Sequence, residues 1–186
     1  MPPKAEITKE SVLNAAFDLV REEGLEGLTT RRVARRLNCS TQPIYSVYGS
    51  MEAVKADVFD RAVRFALARI ETYENANNEP VMNMAIGCLL FAKHEKRLFR
   101  AIFLSEYGAY DNNKLYEAMR AAFLQLDGRF GGMEEARLRR LFLKLAMFWI
   151  GMGAMINAGA LELDVEEATK MIEEMYEALQ AQEGLA

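Results

Sequence analysis

Apolar residues recur along almost the whole chain at the three- and four-residue spacing of amphipathic helices. No stretch alternates apolar and polar residues with enrichment in β-branched side chains, as a half-buried strand does. The pattern therefore predicts an all-α fold. The segments predicted after residue 49 are a helix from Ser50 to about Asn75, a helix opened by Pro80, a short helix from residue 98, a helix capped at residues 111–113, and two long helices at about 134–158 and 165–181.

The segment from Thr29 to Tyr48 predicts two short helices joined by a tight turn. Thr29 is the expected cap of the first helix, because its hydroxyl can accept from amides of the first turn, and Ser40 is the expected cap of the second. Pro43 falls in the first turn of the second helix, where a missing N–H costs no helical hydrogen bond. Gly49 ends that helix, and the order of elements predicts a helix-turn-helix.

The second of these helices is expected to present polar side chains to solvent. Ile44 and Val47 lie one turn apart and should pack inward. The side chains left on the outer face are Thr41, Gln42, Tyr45 and Tyr48. A short helix with polar groups at its N-terminal end suits a major groove, where side chains reach base edges and hydroxyls reach phosphates. Double-stranded DNA is therefore the expected partner.

The charge distribution supports an anionic partner. The chain of 186 residues has a net charge of −4, yet residues 29–48 hold four arginines and no acid. These arginines are Arg31, Arg32, Arg35 and Arg36. A local cluster of positive charge in an acidic chain is expected to meet an anion. The arginines alone fit the solvent face of ordinary amphipathic helices equally well, and it is the order of caps, turn and exposed side chains that favours DNA.

Residues 8–60 resemble the N-terminal DNA-binding domain of the TetR family of transcriptional regulators. The matching features are a first helix that ends in Glu22-Glu23-Gly24, the run from Leu28 to Ala34, the segment from Cys39 to Tyr48, and the helix start from Ser50 to Val54. The resemblance implies a TetR-like fold, with a three-helix DNA-binding domain at 1–49 and a helical ligand-binding and dimerisation domain at 50–186. It also implies a repressor that a small-molecule ligand releases from its operator.

The resemblance assigns roles to residues of the helix-turn-helix. It places Thr29 and Arg31 on backbone phosphates, the start of the second helix on base edges, and its tyrosines on phosphate or a thymine methyl. Family members often carry a lysine just after the cap of the fourth helix, where this chain has Met51, so phosphate contact would depend more on the remaining cations. The full predicted DNA-binding set is Thr29, Arg31, Arg32, Ser40, Thr41, Gln42, Pro43, Tyr45, Tyr48 and Lys55.

The penultimate helix is apolar around its whole circumference from Leu145 to Ile156. Such a helix must be covered on all sides, and the expected cover is the domain's own core on one side and a second subunit on the other. Gly151 and Gly153 would let two backbones approach. A two-fold dimer would also place two recognition helices in successive major grooves, about 34–36 Å apart. A homodimer through the last two helices is therefore predicted, with a buried helix in a monomer as the alternative.

A set of apolar side chains in the C-terminal region is a candidate lining for a ligand cavity. Eleven methionines and a tenth of residues aromatic suit a compliant apolar pocket, although core packing explains any one of them as well. TetR-like regulators usually bind a small molecule between these helices, so the resemblance strengthens the hypothesis of an unknown effector. The candidates are Phe91, Phe99, Phe103, Tyr107, Met119, Phe123, Phe148, Trp149 and Met152.

Other chemistries lack the residues they require. One histidine, His94, and two separated cysteines do not supply the ligands of a metal site, and neither a phosphate loop nor a nucleophile motif is present. We expect no cofactor and no enzymatic activity. Without a signal-like N-terminus or an apolar run of about 18 residues, the expected location is the cytoplasm, with no membrane partner. The alternative function is a helical module that binds a small molecule or a protein without binding an operator.

Overall fold

The computed structural model describes residues 6–105, 117–121, 123–124 and 133–182. These residues form helices and turns without a strand, so the predicted all-α fold is confirmed. The helices are α1 Lys9–Glu23, α2 Thr30–Arg36, α3 Gln42–Tyr48, α4 Met51–Ile70, α5 Pro80–His94, α6 Lys96–Phe99, α7 Glu135–Ala158 and α8 Val165–Gln182. A 3-10 turn at Leu25–Gly27, a π-helical turn at Arg100–Leu104 and helical residues at 117–121 and 123–124 complete the described structure.

The chain divides into two compact units. The first holds the described residues up to 65 together with 97–105, and the second holds 66–96 with the described residues from 117 onward. Helix α4 contributes residues to both units. The domain boundary predicted between residues 49 and 50 remains a prediction.

The first unit is built on α1, which begins with a capping box. The Thr8 hydroxyl accepts from the Ser11 amide at 3.1 Å, and the Ser11 hydroxyl accepts from the Thr8 amide at 3.0 Å. The inner face of α1 buries Val12 and Phe17, and the Phe17 ring meets the edge of Phe65 with centroids 5.5 Å apart. This core supports the helix-turn-helix.

Helix α4 starts where the sequence predicts and ends earlier. Its cap is Ser50, whose hydroxyl accepts from the Ala53 amide at 3.1 Å. The predicted end near Asn75 is wrong, because the helix stops at Ile70. The Thr72 hydroxyl donates to the Arg69 carbonyl at 2.6 Å and so competes with the helical hydrogen bonds of that turn.

The second unit has α5 at its centre. This helix packs against α7 and α8, and ten of its fifteen residues are buried. Asn157 of α7 is 3% exposed, and its amide donates to the carbonyls of Ala92 at 2.9 Å and Lys96 at 3.2 Å. This buried amide gives a donor to the carbonyl of Ala92, in the last turn of α5, and to the carbonyl of Lys96, the first residue of α6.

The end of α4 lies very close to α5. A Cβ added at Gly87 would stand 2.3 Å from the carbonyl oxygen of Ile70 and 3.0 Å from its carbonyl carbon. Only a residue without a side chain permits this approach. Gly87 therefore fixes the distance between the last turn of α4 and the middle of α5.

The last two helices run close to their predicted bounds. Helix α8 begins with the predicted capping box, in which Asp164 Oδ1 accepts from the Glu167 amide at 2.8 Å and the Asp164 amide donates to Glu167 Oε2 at 3.3 Å. Lys144 Nζ, near the middle of α7, donates to Gln182 Oε1 at the end of α8 at 2.8 Å. The two helices are therefore antiparallel neighbours.

Helix α7 is the one helix in the described part of the chain that is long and apolar enough to cross a membrane by length and composition. Within the fold, 44% of its most apolar window is buried. Leu141 and Trp149 on its inner face are 0% and 1% exposed. Its burial is that of a core helix with one face left open.

Candidate nucleic-acid interface

Helix α2 begins at the predicted cap. The Thr29 hydroxyl accepts from the Arg32 amide at 3.4 Å, and Thr29 itself has extended backbone angles. Val33 and Ala34 on its inner face are buried. Thr29 is exposed, so its hydroxyl caps the helix at the surface of the unit.

The turn between α2 and α3 depends on a left-handed residue. Asn38 has φ of 51°, and the following Cys39 amide donates to the Ala34 carbonyl at 3.0 Å. Asparagine is one of the few residues that adopts this conformation readily. The predicted cap of α3 at Ser40 is wrong, because Thr41 occupies the cap position with helical backbone angles and no side-chain hydrogen bond. The tight turn displaces the helix start by one residue.

Two predicted DNA-binding residues of α3 are exposed. Gln42 is exposed, and Tyr45 has 44% of its side-chain surface accessible, whereas Ile44 at 1% is buried. The hydroxyl oxygens of Tyr45 and Thr30 lie 3.2 Å apart and share a hydrogen bond. This bond ties the outer face of α3 to the first residue of α2. Thr41 and Pro43 are half-buried beside them.

The prediction that Tyr48 faces solvent is wrong. It is 9% exposed, and its hydroxyl donates to Asp57 Oδ2 at 3.1 Å. Residue 48 lies four positions after the buried Ile44, so it falls on the same inward face of the helix. Burial, and then the hydrogen bond to the carboxylate, raises the pKa of Tyr48 and keeps its hydroxyl protonated.

Lys9 adds an ion pair at the surface to this contact. Its Nζ lies 2.9 Å from Asp57 Oδ2 and 5.0 Å from the centroid of the Tyr48 ring. The hydrogen bond from Lys9 holds the pKa of the Asp57 carboxyl below its usual range, with a smaller contribution from Tyr48. One carboxylate therefore joins α1, the end of α3 and α4.

Acids from α1 pair with half of the arginine cluster. Arg36 forms a two-point contact with Glu22, with nitrogen–oxygen distances of 2.5 and 2.9 Å, and this contact lowers the pKa of Glu22. Arg32 pairs with Glu23. Residues 29–48 contain no acid, but on the surface of the unit acids of α1 lie beside two of their four arginines.

Arg31 and Arg35 differ from these two arginines. Both are exposed, and neither forms an ion pair with any residue that the structure describes. They leave two uncompensated positive charges on α2. Lys55, in the second turn of α4, is half-buried, and Met51 occupies the first position of that helix.

The predicted ligand-binding residues lie in both units. Phe99 and Phe103 belong to the first unit, with ring centroids 4.9 Å apart. In the second unit Phe123 packs on Phe142 with ring centroids 5.5 Å apart, and the buried Trp149 Nε1 has no hydrogen-bond partner in the described part of the chain. Phe91, Met119 and Met152 are buried there too, and Phe148 is half-buried. Tyr107 lies outside the described residues.

A cleft at the junction of α4 and α5 was not predicted. It has a volume of about 490 Å³ and is lined by residues between 67 and 84, none of which belongs to the predicted ligand set. In the sequence, the polar run from Asn75 to Pro80 indicates only a break between helices. Among the described residues, no group of histidines, cysteines and carboxylates could hold a metal ion.

No protein-family model matches the chain. Over 41 residues, the chain is 42% identical to the class D tetracycline repressor protein of Escherichia coli and to the class H tetracycline repressor protein of Photobacterium damsela subsp. piscicida. Each match covers 22% of this chain and only 19% of the repressor. The sequence similarity is therefore confined to about a fifth of the repressors' length.

Similarity of fold extends over most of the chain. A TetR transcriptional regulator from Streptomyces coelicolor aligns with a TM-score of 0.67 at 19% identity and covers 94% of this chain and 98% of its own. A transcriptional regulator from a Rhodococcus species aligns with a TM-score of 0.67 at 18% identity, and the alignment covers 93% of this chain and 96% of the regulator. The multidrug binding protein EbrR, complexed with imidazole, aligns with a TM-score of 0.60 at 12% identity, and the alignment covers 94% of this chain and 96% of EbrR. The chain is thus similar in fold, over most of its length, to TetR transcriptional regulators, and over 41 residues it is similar in sequence to tetracycline repressor proteins.

Proposed function

We propose that the chain is a homodimeric DNA-binding transcriptional regulator. The observation that carries the proposal is the outer face of α3, where Gln42 is exposed and Tyr45 is held by its hydrogen bond to Thr30. Side chains fixed in this way can read base edges without losing much conformational freedom on binding. Arg31 and Arg35 supply the positive charge that phosphates attract. The relatives with similar sequence are named tetracycline repressor proteins, which agrees with this role.

The test is binding to duplex DNA taken from around the gene that encodes the chain. We expect retention of one fragment at protein concentrations that leave unrelated DNA of equal length unbound. Arg31→Ala should weaken binding to all sequences and lower the salt dependence by about one unit of slope. Arg69→Ala is the matched control, because it removes the same charge from an exposed arginine of the second unit. Equal binding to every fragment at all salt concentrations contradicts the proposal and favours a helical module without an operator.

The homodimer would form through α7 and α8. The outer face of α7 exposes Leu143, Met147 and Met155 by 37%, 66% and 48%, and the outer face of α8 exposes Met171 and Met175 by 41% and 36%. A Cβ added at Gly151, on the same face of α7, would meet nothing within 4 Å. Exposed methionines at helical spacing form an adaptable apolar surface of the kind that a second subunit covers.

The effector would be an apolar or aromatic small molecule held in the second unit near Phe123 and Trp149. Both side chains are fully buried, and no described residue accepts from the Trp149 Nε1–H, so an acceptor atom on a bound ligand would satisfy it. A ligand releases DNA only if it binds more tightly to a conformation with low operator affinity. EbrR, a protein of similar fold, is by its name a multidrug binding protein.

The test of the effector is operator affinity in the presence of a panel of apolar aromatic compounds. We expect at least one compound to lower operator affinity, and Phe123→Trp to change this response while the affinity without ligand stays the same. Compounds that bind the protein at saturation but leave operator affinity unchanged contradict release by a ligand. The regulator is proposed to act in the cytoplasm and to catalyse no reaction.

A further inference from the structure

The cleft at the junction of α4 and α5 lies entirely within the second unit. Its volume of about 490 Å³ is in the range of small-molecule sites. Its apolar wall is formed by side chains from the end of α4 and the start of α5, namely Leu67, Ile70, Pro80 and Met84. Tyr73 adds an aromatic ring that is half-buried. The cleft therefore offers a hydrophobic surface with an aromatic face.

The loop around the cleft is held by hydrogen bonds. Asn83 Oδ1 of α5 accepts from the Asn75 amide at 3.2 Å, and Asn83 Nδ2 donates to the Asn75 carbonyl at 3.2 Å. The Asn75 side chain in turn accepts from the Asn77 amide at 3.0 Å. Together with the close approach at Gly87, these bonds form the cleft before any ligand arrives.

The charge of the cleft has one sign. Glu71 and Glu74 contribute to its lining, and none of the described residues that line it is basic. Both carboxylates are exposed, and neither forms an ion pair within the described structure. Two uncompensated negative charges beside an apolar wall and a tyrosine ring attract a cation with an apolar body.

One further group in the cleft lacks a partner. Asn78 lines the cleft, and its Nδ2 is buried without a hydrogen-bond acceptor among the residues that the structure describes. An unsatisfied buried amide is uncommon in folded proteins and costs free energy until an acceptor reaches it. An acceptor atom on the body of a ligand would satisfy this amide, in addition to any contact of the ligand with Glu71 and Glu74.

We propose that the cleft binds a small organic cation, in which a substituted ammonium lies beside Glu71 and Glu74 and an apolar or aromatic body lies against Tyr73 and Ile70. This site is separate from the pocket proposed around Phe123 and Trp149. The proposal does not depend on DNA binding, because the cleft and its ligand can be measured on the protein alone.

The test is isothermal titration of the full chain with benzyltrimethylammonium and with neopentylbenzene, in which carbon replaces the nitrogen. We expect the cation to bind with a dissociation constant below about 1 mM, to weaken as salt is added, and to bind at least tenfold more tightly than the neutral compound, because only the cation interacts with the carboxylates. Equal affinity for the two compounds, or no binding of the cation in this range, overturns the proposal.

Variants locate the binding. The double variant that carries Glu71→Gln and Glu74→Gln should bind the cation at least tenfold more weakly than the unmodified chain. Glu26→Gln with Glu52→Gln removes the same net charge from exposed positions of the first unit and should leave the affinity unchanged. If the two double variants weaken binding equally, net charge alone attracts the ligand, and the proposal is overturned.

A third variant tests the cleft itself. Ala76→Trp places a large ring in the exposed part of the loop that lines the cleft and should abolish binding without removing a charge. Its circular dichroism spectrum and thermal midpoint, compared with those of the unmodified chain, report whether the fold is retained. Retained binding by a folded Ala76→Trp protein would place the cation elsewhere and overturn the proposal.

Discussion

Tyr45 and Tyr48 belong to the same short helix and have opposite environments. Tyr45 projects from the outer face of α3, and its hydroxyl reaches Thr30. Tyr48 lies one turn after Ile44, and its hydroxyl donates to the carboxylate of Asp57. Burial of one ring and exposure of the other fix the rotation of α3 about its axis. That rotation decides which side chains are available to a base.

Gln42 is the residue whose removal should change DNA specificity most directly. Gln42→Ala should weaken binding to the cognate site by about 1–3 kcal/mol and leave binding to unrelated sequences nearly unchanged, because a glutamine amide can pair with a base edge. Fluorescence anisotropy with labelled duplexes measures both affinities. Ser46→Ala is the control, since this exposed hydroxyl donates to the Gln42 carbonyl within α3. Equal losses on cognate and unrelated DNA would exclude a base contact.

Asp57 should make the stability of the first unit depend on acid pH. Its pKa is lowered in the folded protein, first by Lys9, so its stabilising effect is present above the pKa of an unfolded aspartate, about 3.9, and is lost as pH falls through the lower folded value. Asp57→Asn should therefore lower the free energy of unfolding at pH 7, and the difference from the unmodified chain should shrink toward pH 3.

Urea unfolding at a series of pH values measures this difference. Asp18→Asn, at an exposed position of α1, is the matched control and should show a smaller change between the two pH values. A difference that stays constant from pH 7 to pH 3 would show that the Asp57 carboxylate is not the titrating group.

At the scale of the helices, close contacts decide where elements stop and how near they lie. Helix α4 ends at Ile70, and Gly87 of α5 lies directly against the Ile70 carbonyl. Asn75 and Asn83 then hold the connecting loop to the start of α5. The cleft proposed to bind a cation is a consequence of these contacts.

Gly87→Ala should destabilise the second unit. The added Cβ would stand 2.3 Å from a backbone oxygen, so α4 or α5 must move, at a cost of about 1–3 kcal/mol. Gly151→Ala is the matched control in α7, where a Cβ meets nothing within 4 Å and alanine should stabilise the helix by about 0.5–1 kcal/mol. Denaturant unfolding, performed below the concentration at which the chain associates, measures both. A neutral Gly87→Ala would contradict the close approach.

At the scale of the whole molecule, the outer faces of α7 and α8 determine how copies of the chain should associate. Their inner faces bury Trp149, Ile172 and Leu141, while their outer faces leave methionines exposed. A dimer through these faces would bring together two helix-turn-helix motifs, as two half-sites in successive major grooves require.

Met155→Glu should convert the dimer to a monomer at micromolar concentration, because a buried charge without a partner opposes association. Sedimentation velocity measures the mass, and DNA affinity should fall in parallel with the dimer. Leu104→Glu introduces the same charge at an apolar position of the first unit that is 50% exposed, and it should leave the mass unchanged. A monomeric unmodified chain at this concentration would refute the interface.

The sequence determined the elements that depend on local chemistry. Thr29, Ser50 and Asp164 cap the helices that the pattern assigned to them, because capping involves residues three positions apart. The start of α5 at Pro80 and the bounds of the two last helices also follow from local signals. The helix-turn-helix could be predicted in the same way, apart from its one-residue shift from Ser40 to Thr41.

Only the tertiary structure decided what depends on distant residues. Glu22 and Glu23 of α1 pair with arginines of α2, and Asp57 of α4 holds Tyr48. One segment alone therefore predicts neither the unpaired charges nor the exposed tyrosine of the surface proposed to bind DNA. The end of α4 and the cleft beside it depend on the contact of Ile70 with Gly87. Periodicity places a side chain on a face of a helix, but the partner that covers this face comes from elsewhere in the chain.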